Sequence, residues 1–328
     1  MVQPLNELVL DFDHDNEINK ISLSMRDIVS KKLNRRGVVV AVSGGIDSSV
    51  SAALAVKAFG KNKVFALLLP EKDSSNETQS RGEQLVKFLG VDYLKHDIAS
   101  TLDAIGCYHW RDNAIKEVFP DYEDGWKNKI IISGGLEGQF NHFKLVVQNP
   151  SGEILQKNLG IKQYLQIVAA TNYKQRIRKT IEYFHADRLN YAVIGTPNRV
   201  EYDQGFFVKN GDGSADLKPI AHLYKTQVYS LAKFMGLPDD ICNAIPTTDT
   251  YSLPQGQDEF YYALPYSQMD VAIWAYNNNR PVSDLADYLG CSVQKAEYVF
   301  KDISAKRKTT QYMHLEPQLI EKVDLPIG

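Results

Sequence analysis

Seven consecutive residues, Ser43-Gly44-Gly45-Ile46-Asp47-Ser48-Ser49, carry the densest chemistry in the chain. Gly44 and Gly45 let the backbone approach a ligand closely, and the hydroxyls of Ser43, Ser48 and Ser49 add donors. If a helix starts here, its free N–H groups and the positive end of its dipole point at the same place, which makes an anion site suited to phosphate. No lysine follows the glycines, so this is not a GxxxxGK[ST] loop. Asp47 would repel a phosphate unless a divalent cation lay between them, and it therefore argues for Mg²⁺. A second segment, Gly195 to Asp216 (GTPNRVEYDQGFFVKNGDGSAD), holds Glu201, Lys209, Asp212 and Asp216 among glycines that could turn side chains toward a ligand. Taken alone, NGDGSAD could be a surface turn or even a weak Ca²⁺ loop, though its spacing fits no EF-hand. Asn172, Arg176, Arg178 and Lys179 form a third group, with Asn172 and Arg176 at i, i+4 on one helix face. Guanidinium groups there suit phosphate or carboxylate, although such a face can simply be solvated. Lys225, just after His222-Leu223-Tyr224, reads either as a phosphate clamp or as a plain helix-start lysine.

These residues need a frame. Gly37–Val42 (GVVVAV) and Lys63–Leu69 (KVFALLL) are apolar β-branched runs flanking a helical pattern from Ser48 to Phe59. A helix at Ser80–Leu89, a strand at Val91–Asp97 and a fourth strand at Leu189–Ile194 after a helix at about 171–186 continue the alternation. The expectation is a doubly wound α/β fold with a parallel sheet, whose strand ends face one crevice. The loops after strands one and four should converge there, bringing Glu201 near Asp47 as the pair of carboxylates that hold a hard cation with phosphate oxygens. Residues from about 99 to 170 read as an insertion containing a β-hairpin around Asn149-Pro150-Ser151-Gly152. From Pro238 onward the pattern is helical, broken at Pro246, Pro254, Pro265 and Pro281.

Composition narrows the class. With 328 residues, 44% apolar and 23% charged, the chain is an ordinary globular protein. A formal charge of −3, with Lys and Arg scattered, gives no broad basic field for a nucleic-acid backbone. The helix pair around Gly290 (SDLADYLGCSVQKAEYVFKDI) has helix-turn-helix dimensions, but Asp284, Asp287 and Glu297 dilute any positive face, so it reads as a packing unit. No apolar run is long enough for a membrane span and the acidic N-terminus does not resemble a secretory leader, so a soluble cytoplasmic protein is expected. Cys107, Cys242 and Cys291 are widely separated and read as reduced thiols.

Together, SGGIDSS, GTPNRVE and GFFVKNGDGSADLKPIAHLYKTQV resemble the ammonia-dependent NAD synthetases, N-type ATP pyrophosphatases, in motif, order and spacing. TNYKQRIRKTIEYF is similar to the family's Asn/Arg helix and PTTDTYSLPQGQDE to its downstream loop. The resemblance implies a Rossmann-like sheet of the adenine nucleotide alpha hydrolase type, with residues 1–328 forming a single domain. It implies ATP-dependent amidation of deamido-NAD by ammonia through an acyl adenylate, the same chemistry on another carboxylic acid being the alternative beside a silent nucleotide-binding paralogue. It assigns Ser43, Gly44, Gly45, Asp47, Ser48, Ser49, Thr196, Lys225 and Thr247 to ATP and pyrophosphate, with Asp47, Lys225 and Thr247 carrying catalysis. Asp47 and Glu201 would hold Mg²⁺, and Asn172, Arg176, Lys209, Asp212 and Asp216 the acceptor. A homodimer follows by resemblance, with nitrogen from free ammonia or a separate glutaminase. Pro197-Asn198 stands where many relatives have Asp-His, and Val208 where Thr commonly precedes the Lys. The 99–170 span is longer than in compact members and could cover the acceptor crevice or enlarge the dimer contact.

Overall fold

Four short strands, three of them apolar and buried by helices and the outermost exposed, set the position of everything else. In the computed structural model, which describes residues 4–133, 142–246, 251–254, 256 and 264–323, they are β1 (Val38–Ala41), β2 (Val64–Leu68), β3 (Asp92–Lys95) and β7 (Ala192–Ile194). All pair in parallel in the order β3-β2-β1-β7, with Val38 opposite both Val64 and Ala192. Leu217 adds a parallel bridge to Ile194 beyond β7, so the Gly211–Asp216 turn returns to the sheet edge. The β-branched residues of β1 alternate between two cores. Val38 and Val40 pack with α1 (His14–Asp27), α2 (Ile46–Phe59), α3 (Asn76–Leu89) and α8 (Lys225–Phe234), whereas Val39 faces Leu67, Val193 and the opposite helices. Helices on both faces bury β1, β2 and β7, with β3 left as an exposed edge, the doubly wound arrangement that the sequence pattern implies.

The opposite face is covered by α4 (Ala99–Ala104), α5 (Cys107–Lys116) and α6 (Ile161–Leu189). This last helix begins ten residues earlier than the sequence pattern placed it. Gly160 is its N-cap, neither proline nor glycine interrupts the next 29 residues, and Asn190 ends it in the left-handed conformation. Residues 161–170, expected to lie within an insertion, thus belong to the helix. The Asn149–Gly152 turn does join an antiparallel pair, β5 (His142–Gln148) and β6 (Ile154–Asn158), and β4 (Lys127–Ser133) extends it to three strands in the order β4-β5-β6. This sheet has its own apolar core, including Ile130, Leu145 and Val147 against Ile115 of α5 and Ile167 of α6.

Two short helices, α7 (Arg199–Gln204) after β7 and α9 (Asp239–Cys242) after α8, complete the sheet layer. The C-terminal helices are α10 (Tyr266–Asn277), α11 (Val282–Leu289) and α12 (Val293–His314). Gly290, at φ +61°, ends α11, and the pair buries Leu285, Ala286, Ala296, Val299 and Ile303, as a packing unit must. The basic run Lys306-Arg307-Lys308 lies near the end of α12. Arg307 donates to both oxygens of Asp203, at 2.7 and 2.6 Å, and so ties α12 to α7. Among the described residues, no helix is long and apolar enough to cross a membrane.

Candidate active site

β1 ends directly in Ser43–Ser49, and the loop's shape follows from its glycines. Gly44 sits at φ +81°, and a Cβ there would overlap the Thr78 carbonyl of α3, so only glycine fits both the conformation and the gap. Gly45 is the N-cap of α2 without a capping side chain, which leaves the helix-start N–H groups directed outward. The hydroxyls of Ser43 and Ser48 lie 3.2 Å apart, and Ser48 Oγ reaches the Gly45 carbonyl at 3.0 Å. Ser49 corrects the sequence expectation of a phosphate donor. Fully buried, it donates to the Gly45 carbonyl at 2.8 Å, because its position on α2 faces the core. Gly44→Ala is expected to weaken ATP binding at least about tenfold, since a strained left-handed alanine costs roughly 1–2 kcal/mol even before the overlap with Thr78; calorimetric titration checks this.

Asp47, on the first turn of α2, is held from two sides. Lys225 Nζ makes a short ion pair with its Oδ2, and Asn198 Nδ2 donates to its Oδ1 at 3.1 Å. Lys225 begins α8 and is 2% exposed. Burial would lower its pKa, but Asp47 and then Glu201 reverse that and hold the ammonium protonated well above the ordinary lysine range. Glu201 therefore lies within electrostatic reach of the same lysine. Its carboxylate accepts from the Asn198 N–H at 3.2 Å, while the Asn198 side chain accepts from the N–H groups of Val200 and Glu201. This capping box fixes the loop after β7 against the loop after β1. From sequence Asn198 stands out only as a departure from relatives and carries no role, although Asn-x-x-Glu ahead of a helix was the signal of this one. Asp270 of α10 was also missed. It accepts from the Thr226 N–H and hydroxyl, both at 2.7 Å, and burial pushes its carboxyl up to about 6 against those bonds. Thr196 is half-buried on the same loop as Asn198. Thr247 lies outside the described residues.

The residues expected on the acceptor side are less closely gathered. Arg176, exposed on α6, donates to the Lys209 carbonyl at 3.3 Å, with Asn172 one turn earlier. The Lys209 ammonium, however, reaches the Tyr312 and Leu315 carbonyls at the end of α12, at 2.8 and 3.3 Å. Asp212 folds back to accept from the Val208 N–H at 2.7 Å, and burial raises its pKa. Asp216 accepts from the Val193 N–H at 2.7 Å and from the Tyr183 hydroxyl at 3.3 Å, closing the open edge of β7. These two aspartates hold the turn itself. Lys179 is buried in an ion pair with Glu182 at 2.7 Å. Facing the other way on α6, buried Lys174 binds Glu71 at 3.0 Å and Asp73 at 2.6 Å, in the loop after β2. Asp73 also meets Arg111 at 2.6 Å, and the Tyr108 hydroxyl donates to Glu71 at 2.9 Å.

A parallel sheet whose strand ends carry a serine-lined glycine loop at a helix start, beside a buried carboxylate–ammonium pair, defines a nucleotide-binding α/β protein. A family model described as NAD synthase matches residues 17–119 and 142–312, and the chain belongs to that family. It is 51% identical over 316 residues to an NH(3)-dependent NAD(+) synthetase of Rhizobium meliloti, covering 96% of this chain and 94% of that one. Among solved structures it is similar to an NMN synthetase from Francisella tularensis, with a TM-score of 0.64 at 21% identity, covering 94% and 99% of the two chains. An NH3-dependent NAD synthetase from Campylobacter jejuni gives 0.62 at 21%, covering 94% and 100%.

Proposed function

We propose that this protein amidates deamido-NAD with ammonia at the expense of ATP. The observation that carries this reading is identity at 51% across nearly the whole length of an ammonia-dependent NAD synthetase, with the loop, Asp47 and Lys225 in one crevice. In the first half-reaction a substrate carboxylate oxygen attacks the α-phosphorus of ATP and the bond to the pyrophosphate oxygen breaks. In the second, ammonia forms the C–N bond, AMP leaves with its oxygen, and the nitrogen loses a proton. Ser43, Gly44, Gly45 and Ser48 would cradle the phosphate end through N–H and hydroxyl donors, leaving the α-phosphorus open to attack. Lys225 supplies a fixed positive charge where the leaving group gains negative charge. Thr196 and Thr247 are read as further phosphate contacts, and Asn172, Arg176 and Lys209 as the side toward the acceptor.

Asp47 and Glu201 offer hard oxygen donors suited to Mg²⁺. Among the described residues no group of three or more His, Cys, Asp or Glu side chains forms a full metal cage, which suits a cation whose remaining ligands are phosphate oxygens. Once bound, Mg²⁺ would offset charge on the departing pyrophosphate. A homodimer and a cytoplasmic location belong to the same reading. The exposed stripe of α6 carrying Leu165, Tyr173 and Phe184 offers an apolar surface for the dimer. Free ammonia or a separate glutaminase supplies the nitrogen.

The test is pyrophosphate release by the purified protein with ATP, Mg²⁺ and ammonium, with and without deamido-NAD, the product being identified by mass. Release that depends on deamido-NAD and yields NAD is the expected result. An active, ATP-binding preparation that leaves deamido-NAD unchanged would overturn the reading.

A further inference from the structure

We propose that α10 holds Lys225 in place through two residues one turn apart, Asp270 and Tyr266, which makes both of them positioning residues for the reaction. The inference rests on the reading that Lys225 supplies positive charge to the departing pyrophosphate. A helix start leaves its first N–H groups without partners, and the usual remedy is Ser, Thr, Asp or Asn at the N-cap. α8 has Tyr224 there instead. Its acceptors come from another helix, 45 residues away in the chain. Asp270 Oδ1 accepts from the Lys225 N–H at 3.3 Å, and Oδ2 accepts from the Thr226 N–H and hydroxyl, both at 2.7 Å. The Tyr224 N–H is taken up within α8 by Gln227 Oε1 at 2.9 Å. Asp270 is fully buried, and its negative charge lies at the positive end of the α8 dipole.

The far end of the same lysine is held from α10 as well. Tyr266 precedes Asp270 by four residues, so the two lie on one face of the helix. The Tyr266 ring lies 5.4 Å from Lys225 Nζ, within cation–π range, while Asp47 takes the ammonium in its short ion pair. Lys225 thus meets α10 at its backbone and at its charge, and each link from α10 to Asp47 is a direct contact. A lysine stem is otherwise flexible, so a tied backbone and a fixed ring face confine the charge to one point. A buried carboxylate is costly unless its oxygens are hydrogen-bonded. Among the described residues, the donors that Asp270 meets belong to Lys225 and Thr226. Packing α10 on α8 would need only an apolar side chain at this position, whereas the carboxylate is matched to the start of α8.

Asp270→Asn keeps the size but turns one oxygen into a donor. Whichever way the amide faces, the N–H of Lys225 or of Thr226 then meets an NH₂ group, and a backbone N–H cannot turn aside as a hydroxyl can. The position of Lys225 is read by acetic anhydride labelling of the folded protein without ATP, the Lys225 peptide being quantified by mass. Tm, kcat and KM for ATP and deamido-NAD accompany it. In wild type the lysine is buried and held protonated, so it labels slowly. In Asp270→Asn it should label about tenfold faster, and kcat should fall about tenfold with KM for deamido-NAD within about twofold, the pattern of a lost transition-state interaction. Tyr266→Leu should move labelling and kcat in the same direction by about threefold, whereas Tyr266→Phe keeps the ring and should label within about twofold of wild type. Leu231→Ala, a cavity in the core under α8, should lower Tm without changing labelling or kcat. A folded Asp270→Asn protein whose Lys225 labels at the wild-type rate would overturn the proposal whatever its Tm, because the carboxylate would then be only a helix cap. If Asp270→Asn does not fold, Tyr266→Leu decides alone, and wild-type labelling in that variant overturns the proposal. If wild type binds ATP but leaves deamido-NAD unchanged, the amidation reading fails by itself. The labelling comparison needs no turnover and still decides the positioning role.

Discussion

Asp47→Asn is expected to lower kcat/KM for pyrophosphate release by about three orders of magnitude, the scale on which removing a charge-stabilising group from an active site acts. The substitution keeps the shape and the contact with Asn198 but removes the charge facing Lys225, so it should also lower Tm. Lys225→Met should destabilise by about 3–5 kcal/mol, because Asp47 is left without its counter-charge beside a buried methionine. A structural ion pair and a catalytic one separate in the double variant. Asp47→Asn with Lys225→Met removes both charges together, which for buried pairs is often neutral or even stabilising, so Tm should recover much of the loss. Activity should not recover, because neither the proposed cation ligand nor the fixed ammonium remains. A double variant with activity within tenfold of wild type, or an Asp47→Asn enzyme that still releases pyrophosphate at near-normal rates, would remove Asp47 from the catalytic machinery.

That the Glu201 loop could be expected beside Asp47, while the Asp47–Lys225 ion pair could not, reflects where the information lies. The strands were readable because parallel strands buried on both faces must be runs such as GVVVAV, and the Ser43–Ser49 loop because an anion site at a helix start restricts residue types over a short stretch. From these two facts the parallel topology brings the Glu201 loop to Asp47. What stayed hidden depends on side chains meeting across long separations. Nothing local distinguishes Lys174, which becomes fully buried, from Arg176, which stays exposed, since both sit among polar neighbours on one helix. Lys209, Asp212 and Asp216 show the converse. A glycine-rich turn with charged residues looks like ligand chemistry, yet such a turn also needs acceptors for its own N–H groups, and Asp212 and Asp216 meet that need. The segment NKIIIS reads as a strand, as β4 is, but nothing local shows that its buried amide, Asn128, has its partner 124 residues away.

The largest stability effect outside the catalytic pair should come from the lysine that sequence reading passed over. Lys174→Met is expected to cost about 3–5 kcal/mol, because Glu71 and Asp73 would keep their places beside a neutral side chain, with Arg111 left as the remaining cation on Asp73. The pH dependence distinguishes this from simple loss of packing. Burial would raise the Asp73 carboxyl, but Lys174 and Arg111 outweigh it and hold the group below the ordinary aspartate value. A carboxylate with a depressed folded pKa contributes stability that is fully present above its unfolded pKa, near 4, and is lost as pH falls through the folded value. Wild type should therefore lose stability on acidification below about pH 4, as the unfolded chain takes up a proton that the native state refuses. In Lys174→Met the native Asp73 accepts that proton more readily, so the deficit relative to wild type should be greatest near neutrality and shrink toward pH 3. Denaturant melts of both proteins across that range provide the measurement. A deficit that stays constant with pH would mean that Lys174 acts through its methylenes alone, and the carboxylates of the β2 loop would need another source of balance.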